Sequence, residues 1–303
     1  MSTASPDYAL LDVGDGRRLE RFGAITLDRP APGADGHIPQ EPGAWAAAQA
    51  RFDRADRGAL AHEGWTTRDG QPLEPWLVED GAHRFELRLA PSGQVGLFPE
   101  QHAARAWIGR QADRIAEPGT GIAGAFSGPG AVLNLFGYTG GATISAARTG
   151  VAVTHVDASR PAVAWARHNA MLNGLAGAQI RWISDDAAAF AERELRRGRR
   201  FAGIVLDPPS YGHGATGRAW RLADDLPALL AACAELLDDG PAFVLLTAHT
   251  PGFGPDRLGQ ILLEALEPVV GSSAAGAIEV ADQSLLSEGG TRLHLGSMAR
   301  WAR

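Results

Sequence analysis

The residues Asp207-Pro208-Pro209-Ser210-Tyr211 follow directly on the apolar run Phe201–Leu206. A run of that kind, rich in branched side chains, reads as a buried strand. Two prolines, which cannot donate to a sheet ladder, end it abruptly. In an open parallel sheet, ligands bind just beyond the carboxyl ends of the strands. A carboxylate, two rigid residues and an aromatic ring at such a place suit a flat, polar substrate. The same five residues could also be a proline-stiffened surface turn, so the other strand ends carry weight.

Three of these ends are informative. The apolar run from Ala131 leads into Asn134-Leu135-Phe136-Gly137-Tyr138-Thr139-Gly140-Gly141, a glycine-bearing turn before a helix. Glycines there let main chain approach a ligand closely, although the spacing is not the Gly-x-Gly-x-x-Gly dinucleotide fingerprint. The next strand, Val151–Val156, ends at Asp157, with Ala158 and Ser159 following. A carboxylate at that end can accept both ribose hydroxyls of a nucleoside cofactor, each such bond being worth roughly 1.5–3 kcal/mol. The third strand ends at Asp185-Asp186, placed to receive an adenine amine, and the fourth at Asp207. A single acid of this kind could be only a helix N-cap. Three in succession, with the glycine turn, form a constellation.

The elements that position them alternate. Strands are expected at 131–135, 151–156, 178–183, 201–206 and 241–248, and helices at about 140–149, 160–173, 186–197, 222–238 and 255–267. That order predicts a parallel sheet with helices on both faces. Two further strands, Ala277–Ala281 and Arg292–Met298, have no helix between them and predict a closing hairpin. Before residue 118, strand-like runs at Tyr8–Val13, Gly64–Thr67, Trp76–Glu79, Phe85–Leu89 and Gln94–Phe98 sit among turns such as Gly14-Asp15-Gly16 and Asp69-Gly70. Pro99–Glu117 reads as a linking helix, and 29–42 as a proline-rich loop. The expected division is a small, mostly β domain at 1–118 and an α/β domain at 119–303.

Of the 303 residues, 45% are hydrophobic and 21% charged, ordinary for a globular protein. No apolar run approaches the roughly 20 residues of a membrane helix. Met1–Asp7 has neither the basic patch nor the apolar core of a signal peptide. One cysteine, Cys233, rules out an internal disulfide, so the cytoplasm is the expected compartment. The net charge is −7 and all 28 basic residues are arginine, a bias that suggests a GC-rich genome. Such a chain lacks the broad basic face of a protein that grips long nucleic acid unaided. The arginines at 193, 196, 197, 199 and 200 belong to the far end of a helix running away from the strand ends, where they suit the helix dipole. Arg218 and Arg221 are better placed for a substrate phosphate.

The run from Asn134 to Tyr211 resembles the class I S-adenosylmethionine-dependent methyltransferases. It is most similar to the bacterial large-subunit ribosomal RNA base methyltransferases, with their Asn-x-Phe-x-Tyr-Thr-Gly-Gly and Asp-Pro-Pro-x-aromatic motifs. Asn169 and Asn173 match two asparagines four apart on a helix, and Gly96–His102 is similar to a segment that precedes the domain. The resemblance covers most of residues 95–250. It implies a Rossmann-like domain with a mainly parallel seven-stranded sheet and closing antiparallel hairpin, preceded by the small β domain. S-adenosylmethionine would be the cofactor, held by residues among Asn134, Leu135, Phe136, Gly137, Tyr138, Thr139, Gly140, Asp157, Ala158, Ser159, Asn169, Asp185, Asp186 and Asp207. Phe136 to Gly140 would line its methionine part, Asp157 its ribose and Asp186 its adenine. Asp207, Pro208, Pro209 and Tyr211 would face the acceptor, expected to be an RNA base. No metal and no membrane partner is expected, and the oligomeric state is open.

The sequence departs from that family in two places. Relatives that methylate cytosine carbon 5 carry a cysteine after the fifth strand, whereas here the turn is Thr247-Ala248-His249-Thr250, with His249 in that position. Cys233 lies among Ala and Leu on a helix, as a core residue would, so noncovalent transfer is expected. Residues 1–100 hold 16 acids and 10 arginines, unlike the basic RNA-binding modules of some relatives. Ser210 separates the second proline from the aromatic, unlike amino-directed methyltransferases but as in the ribosomal branch, which leaves the stacking partner open. The alternatives are a small-molecule or protein acceptor and a noncatalytic cofactor-binding module. A nicotinamide oxidoreductase would share the glycine turn and Asp157 but has no use for Asp-Pro-Pro.

Overall fold

Five short strands, β1 (Tyr8–Gly14), β2 (Arg17–Phe22), β3 (Ile25–Pro30), β4 (Ala50–Phe52) and β5 (Trp65–Thr67), form a sheet in chain order. The computed structural model describes residues 7–53, 64–116, 128–213, 219–271 and 274–303. Asp15 and Gly16, both at positive φ, make the tight turn between β1 and β2. A single helical turn, α1 (Pro42–Ala46), lies in and just beyond the proline-rich loop, and β6 (Trp76–Asp80) pairs with β7 (His83–Leu87) as a separate hairpin.

Three of these strands, β2, β3 and β4, were not expected from the sequence. In β2 the chain reads Arg-Arg-Leu-Glu-Arg-Phe, yet Arg18, Leu19 and Glu20 are all buried. Glu20 is 0% exposed. It lies 3.2 Å from Arg18 and 2.7 Å from Arg29 and accepts a 2.9 Å hydrogen bond from the Tyr8 hydroxyl. Burial pushes this carboxyl up, but the two guanidinium groups outweigh it and hold Glu20 below the usual carboxylate range. Gln94–Phe98, expected as a strand, is not one. It folds back through Pro91–Gly93 and bonds to the residues just after β7 by Arg88 N–H to Val95 O, 3.1 Å, and Ala90 N–H to Gln94 O, 3.0 Å. Gly96 at φ +103° then breaks the extension.

Pro99 opens a 3-10 turn, Pro99–Gln101, that leads into α2 (His102–Ala116). Strand and helix then alternate: β8 (Gly128–Leu135), α3 (Gly141–Ala147), β9 (Ala152–Asp157), α4 (Arg160–Leu172), β10 (Ile180–Ser184), α5 (Ala187–Arg196) and β11 (Phe201–Leu206). A ribbon of β12 (Tyr211–His213) and β13 (Ala219–Arg221) comes before α6 (Leu222–Glu235), β14 (Phe243–Ala248) and α7 (Pro255–Val270). The chain closes with α8 (Ala274–Ala277), β15 (Ile278–Leu286) and β16 (Arg292–Ala302).

The large sheet has the order β10-β9-β8-β11-β14-β16-β15. Its first five strands are parallel and β16 runs antiparallel to β14, the sheet and closing hairpin that the resemblance implied. β11 and β14 are buried at every position, as strands covered on both faces must be. On one face Leu133, Leu135, Ile204 and Leu206 pack with α5, α6 and α7. On the other, Val132, Val205, Phe243 and Leu245 meet Trp107 and Ile108 of α2. A Cβ at Gly203 would come within 2.4 Å of the Phe243 ring, so that central position admits only glycine.

The contacts divide the chain into Met1–Ala103 with Gln283–Leu295, and Ala104–Asp282 with Gly296–Arg303. The boundary expected at 118 lies outside the described residues. Nearly all of α2, assigned from the sequence to the first domain, groups with the second unit, and the tip of the last hairpin groups with the first.

Removing one member of a buried ion cluster leaves the others uncompensated. Glu20→Ala should therefore destabilise the first unit by about 3–5 kcal/mol, seen as faster hydrogen exchange across Tyr8–Pro30. Unchanged exchange there would show that the cluster contributes nothing to stability.

Candidate active site

The strand order reverses between β8 and β11, so the sheet has its switch point there, where a crevice opens at the carboxyl ends. Leu135 of β8 is the register partner of both Val156 in β9 and Leu206 in β11. The next residues, Phe136, Asp157 and Asp207, therefore emerge side by side. Asp185 follows Ser184, the register partner of Asp157, and its N–H donates to the Asp157 carbonyl at 3.1 Å. Parallel register alone thus gathers the glycine turn and the acids of three strand ends.

The glycine turn is held in an unusual shape. Phe136 and Tyr138 have φ of 56° and 47°, a left-handed conformation that costs a side-chain-bearing residue roughly 1–2 kcal/mol. Gly137 N–H to Val156 O, 3.0 Å, Tyr138 N–H to Asp157 Oδ2, 2.8 Å, and Gly140 N–H to Gly137 O, 3.0 Å, offset that strain. Gly137 lies on the His155 ring, where a Cβ would come within 2.4 Å, and Gly140 has φ +91°.

Behind the turn sits a buried polar network. Asn134 Nδ2 donates to Thr143 Oγ1 at 2.9 Å, which is itself 2.9 Å from His155 Nδ1. Asn169 Nδ2 donates to the Thr139 carbonyl at 3.0 Å, and Asn173 Nδ2 to the Asn169 carbonyl at 2.8 Å. Asn134, Leu135 and Asn169 were expected to contact cofactor. The structure buries all three, Leu135 in the core, with Asn134 Nδ2 donating to Thr143 and Asn169 Nδ2 to the Thr139 carbonyl. His155 is 0% exposed, and burial pushes its imidazole down to about 3.

Asp157 presents both carboxylate oxygens at the turn, Oδ2 to the Tyr138 N–H and Oδ1 to the Ser159 N–H, each at 2.8 Å. Burial outweighs these bonds and raises the carboxyl above its usual range. Ala158 and Ser159 are exposed beside it, and Ser159 Oγ caps α4. Asp186 Oδ1 caps α5 through the Ala189 N–H at 2.9 Å. Asp185 accepts the Asp186 N–H at 2.9 Å and pairs with Arg193. A cavity of about 280 Å³ between α5 and α6 is lined by Asp186, Ala189, Trp220 and Leu229 among others.

On the other side of the crevice, Pro208 is buried and Pro209 exposed. The Pro209 carbonyl accepts the Trp220 indole N–H at 2.8 Å, and that ring packs against Phe136 with centroids 5.3 Å apart. Trp220 thereby ties the acid-proline segment to the glycine turn. Tyr211 is 75% exposed on the ribbon, opposite Arg221. The end of β14 closes over the same segment: Thr247 Oγ1 donates to Asp207 Oδ1, His249 Nε2 lies 3.2 Å from that oxygen, and Ser210 and Thr250 hydroxyls are 2.6 Å apart. Sequence reasoning missed Trp220, Thr247 and Thr250. Polar residues at the end of the apolar run 243–248 were the available signal, since that end must share the crevice.

Cys233 is buried in α6 and its thiol is pushed up to about 12 by burial, which removes the only thiol from nucleophilic chemistry. Arg218 lies outside the described residues, and Arg221 is exposed at the start of α6. Among the described residues, no helix is long and apolar enough to cross a membrane, and no group of three or more His, Cys, Asp or Glu could hold a metal ion.

A family model described as S-adenosylmethionine-dependent methyltransferase matches residues 38–267, more than half of the chain. The solved structure of a SAM-dependent methyltransferase from Agrobacterium tumefaciens is 31% identical. It superposes with a TM-score of 0.86, covering 99% of this chain and 92% of that one. Ribosomal RNA large subunit methyltransferase I of Aeromonas salmonicida is 27% identical over 223 residues, 69% of this chain and 50% of that protein. Ribosomal RNA large subunit methyltransferase K/L of Shewanella amazonensis is 32% identical over 178 residues, 58% of this chain and 22% of that protein. The chain thus spans half or less of the length of these curated relatives.

The buried, neutral His155 makes stability depend on pH. Its folded value lies far below the ordinary 6.5, so only the unfolded chain takes up its proton between about 6.5 and about 3. Stability is fully present above pH ~6.5 and falls as pH drops through that window, by up to about 1.4 kcal/mol per pH unit. His155→Gln should flatten this slope in urea unfolding between pH 6.5 and 4.5. An unaltered slope would remove His155 as its source.

Proposed function

The chain belongs to the S-adenosylmethionine-dependent methyltransferases, with S-adenosylmethionine as methyl donor, and we propose that its acceptor is a base of ribosomal RNA. The observation that carries this reading is the meeting of Asp207 and the glycine turn at the switch point, with the lone thiol buried elsewhere. The printed names of the curated relatives supply the acceptor class. The compartment that goes with this reading is the cytoplasm. The acid excess of residues 1–100 favours a second reading, a small-molecule or protein acceptor.

The residues present fit the cofactor. The main chain of Phe136 to Gly140, strained and free of a side-chain cap at Gly140, offers a surface for its amino-acid end. Asp157 is a carboxylate raised by burial, which charge-assisted bonds from ribose hydroxyls would relieve. The cavity beside Asp186 and Trp220 could take a flat adenine, and Asp186, whose Oδ1 caps α5, would hold its amine through the other oxygen. Asp185, Ala158 and Ser159 border this surface.

When bound, the cofactor supplies a methyl group already activated on a sulfonium. What the chain's residues contribute is placement, which can be worth roughly 7–11 kcal/mol of barrier. Asp207 accepts a hydrogen bond from the acceptor's N–H and balances the positive charge that develops on that nitrogen. The Pro209 carbonyl is engaged by Trp220, so the neighbouring Pro208 carbonyl is the second acceptor. Tyr211, exposed on its ribbon, is available to stack on an unpaired base.

Tritiated methyl transfer to ribosomal RNA from a deletion strain should label RNA. Label only in protein or small molecules would replace this acceptor by the second reading. Asp157→Ala should weaken S-adenosylmethionine binding by calorimetry about 10-fold or more, given roughly 1.5–3 kcal/mol per charge-assisted bond. Unchanged affinity would take the ribose role from Asp157.

A further inference from the structure

We propose that His249 is the positioning residue for Asp207, setting the orientation of the carboxylate that meets the acceptor; this rests on the methyl-transfer role of Asp207 given above. The turn that ends β14 touches the acid-proline segment three times. Thr247 Oγ1 donates to Asp207 Oδ1, His249 Nε2 stands 3.2 Å from the same oxygen, and Thr250 and Ser210 share a 2.6 Å hydroxyl pair. Two donors converging on one oxygen restrict the plane of the carboxylate, and so where its other oxygen points.

The imidazole is held from behind as well. A Cβ at Gly296 of β16 would come within 2.7 Å of His249 Nδ1 and 2.7 Å of the Ala248 carbonyl. The glycine therefore leaves room for the ring beside the middle of β16, where Ser297 is the register partner of Ala248. With Nδ1 turned to that backbone, Nε2 is the atom that reaches Asp207. An acceptor-facing carboxylate needs Nε2 to carry the proton, because an unprotonated Nε2 would set a lone pair against Oδ1. The side chains of His249 and Asp207 keep 29% and 21% of their surface exposed, so both border the crevice without being loose in solvent. Neither partner needs to exchange a proton with the substrate for this arrangement to work. His249 acts through Asp207, and Thr247 backs it up from the core side.

Two measurements test the proposal. In the first, His249→Gln and His249→Leu are compared with the wild-type chain in methyl transfer to large-subunit ribosomal RNA transcribed in vitro, alongside calorimetric S-adenosylmethionine binding. A glutamine amide can replace Nε2–H, while leucine cannot. The leucine variant should lose about 10–100-fold in kcat with KM and cofactor affinity within about twofold. The glutamine variant should recover most of that loss. Equal activity of wild type and His249→Leu would overturn the proposal, as would a glutamine variant as slow as the leucine one, which would instead make the imidazole a proton acceptor. A wild-type chain that labels no RNA would defeat the acceptor assignment alone.

The second measurement needs no acceptor. Nitrogen-15 NMR of the histidine rings, with His249 assigned by its absence in His249→Gln, should show Nε2 protonated and a shifted resonance on Asp207→Asn. A ring protonated only at Nδ1, or insensitive to Asp207→Asn, would sink the idea whatever the acceptor proves to be.

Discussion

Parallel register across β9, β8, β11 and β14 is the constraint on which the rest of the second unit depends. Because Leu135 pairs with both Val156 and Leu206, the residues that follow these three strands leave the sheet at one level. The reversal of strand order at β8 then separates the neighbouring connections and opens the crevice between them. A slip of one residue in β11 would exchange the faces of its side chains and carry Asp207 away from the glycine turn. Full burial of β11 and β14 on both faces, with Gly203 accommodating Phe243, guards against such a slip.

The crevice is strained on its surface and braced from beneath. Phe136 and Tyr138 hold left-handed backbone that L-residues avoid. That shape persists because main-chain bonds to Val156 and Asp157 and the Asn134–Thr143–His155 and Asn169–Thr139 contacts determine it from several directions. Polar groups this deep narrow the choice of structure only when they are partnered. Asp157 stands at the boundary: its main-chain bonds fix its place, while burial leaves its charged form under-solvated. A group in that condition gains most when further donors arrive.

The first unit follows a different logic. Its small sheet buries Glu20 with Arg18 and Arg29 where a larger domain would place apolar side chains. Such a cluster adds little net stability compared with a hydrophobic core, but it is intolerant of losing one partner. It also disguises strands as surface, which is why Arg17–Phe22 and Ile25–Pro30 look like loop in a linear reading. The buried charges oppose the alternation of polar and apolar residues by which a half-buried strand is recognised.

The amino-acid sequence by itself determined the alternating α/β order, the closing hairpin, the strand ends and the acids they carry. These are local matters: apolar runs, prolines, glycines and caps act within a few residues of themselves. It also determined that no reactive thiol exists, since one cysteine lies in an apolar helix. Tertiary structure alone decided which of the candidate residues face the crevice. Asn134 and Asn169 turn inward because the glycine turn has carbonyls and hydroxyls that need donors behind it, and Asp186 gives one oxygen to a helix end. Trp220, Thr247 and His249 join the Asp207 segment from 11 and 40 residues or more away in the chain. No spacing rule encodes that meeting, because it is set by which strands pair and in what register.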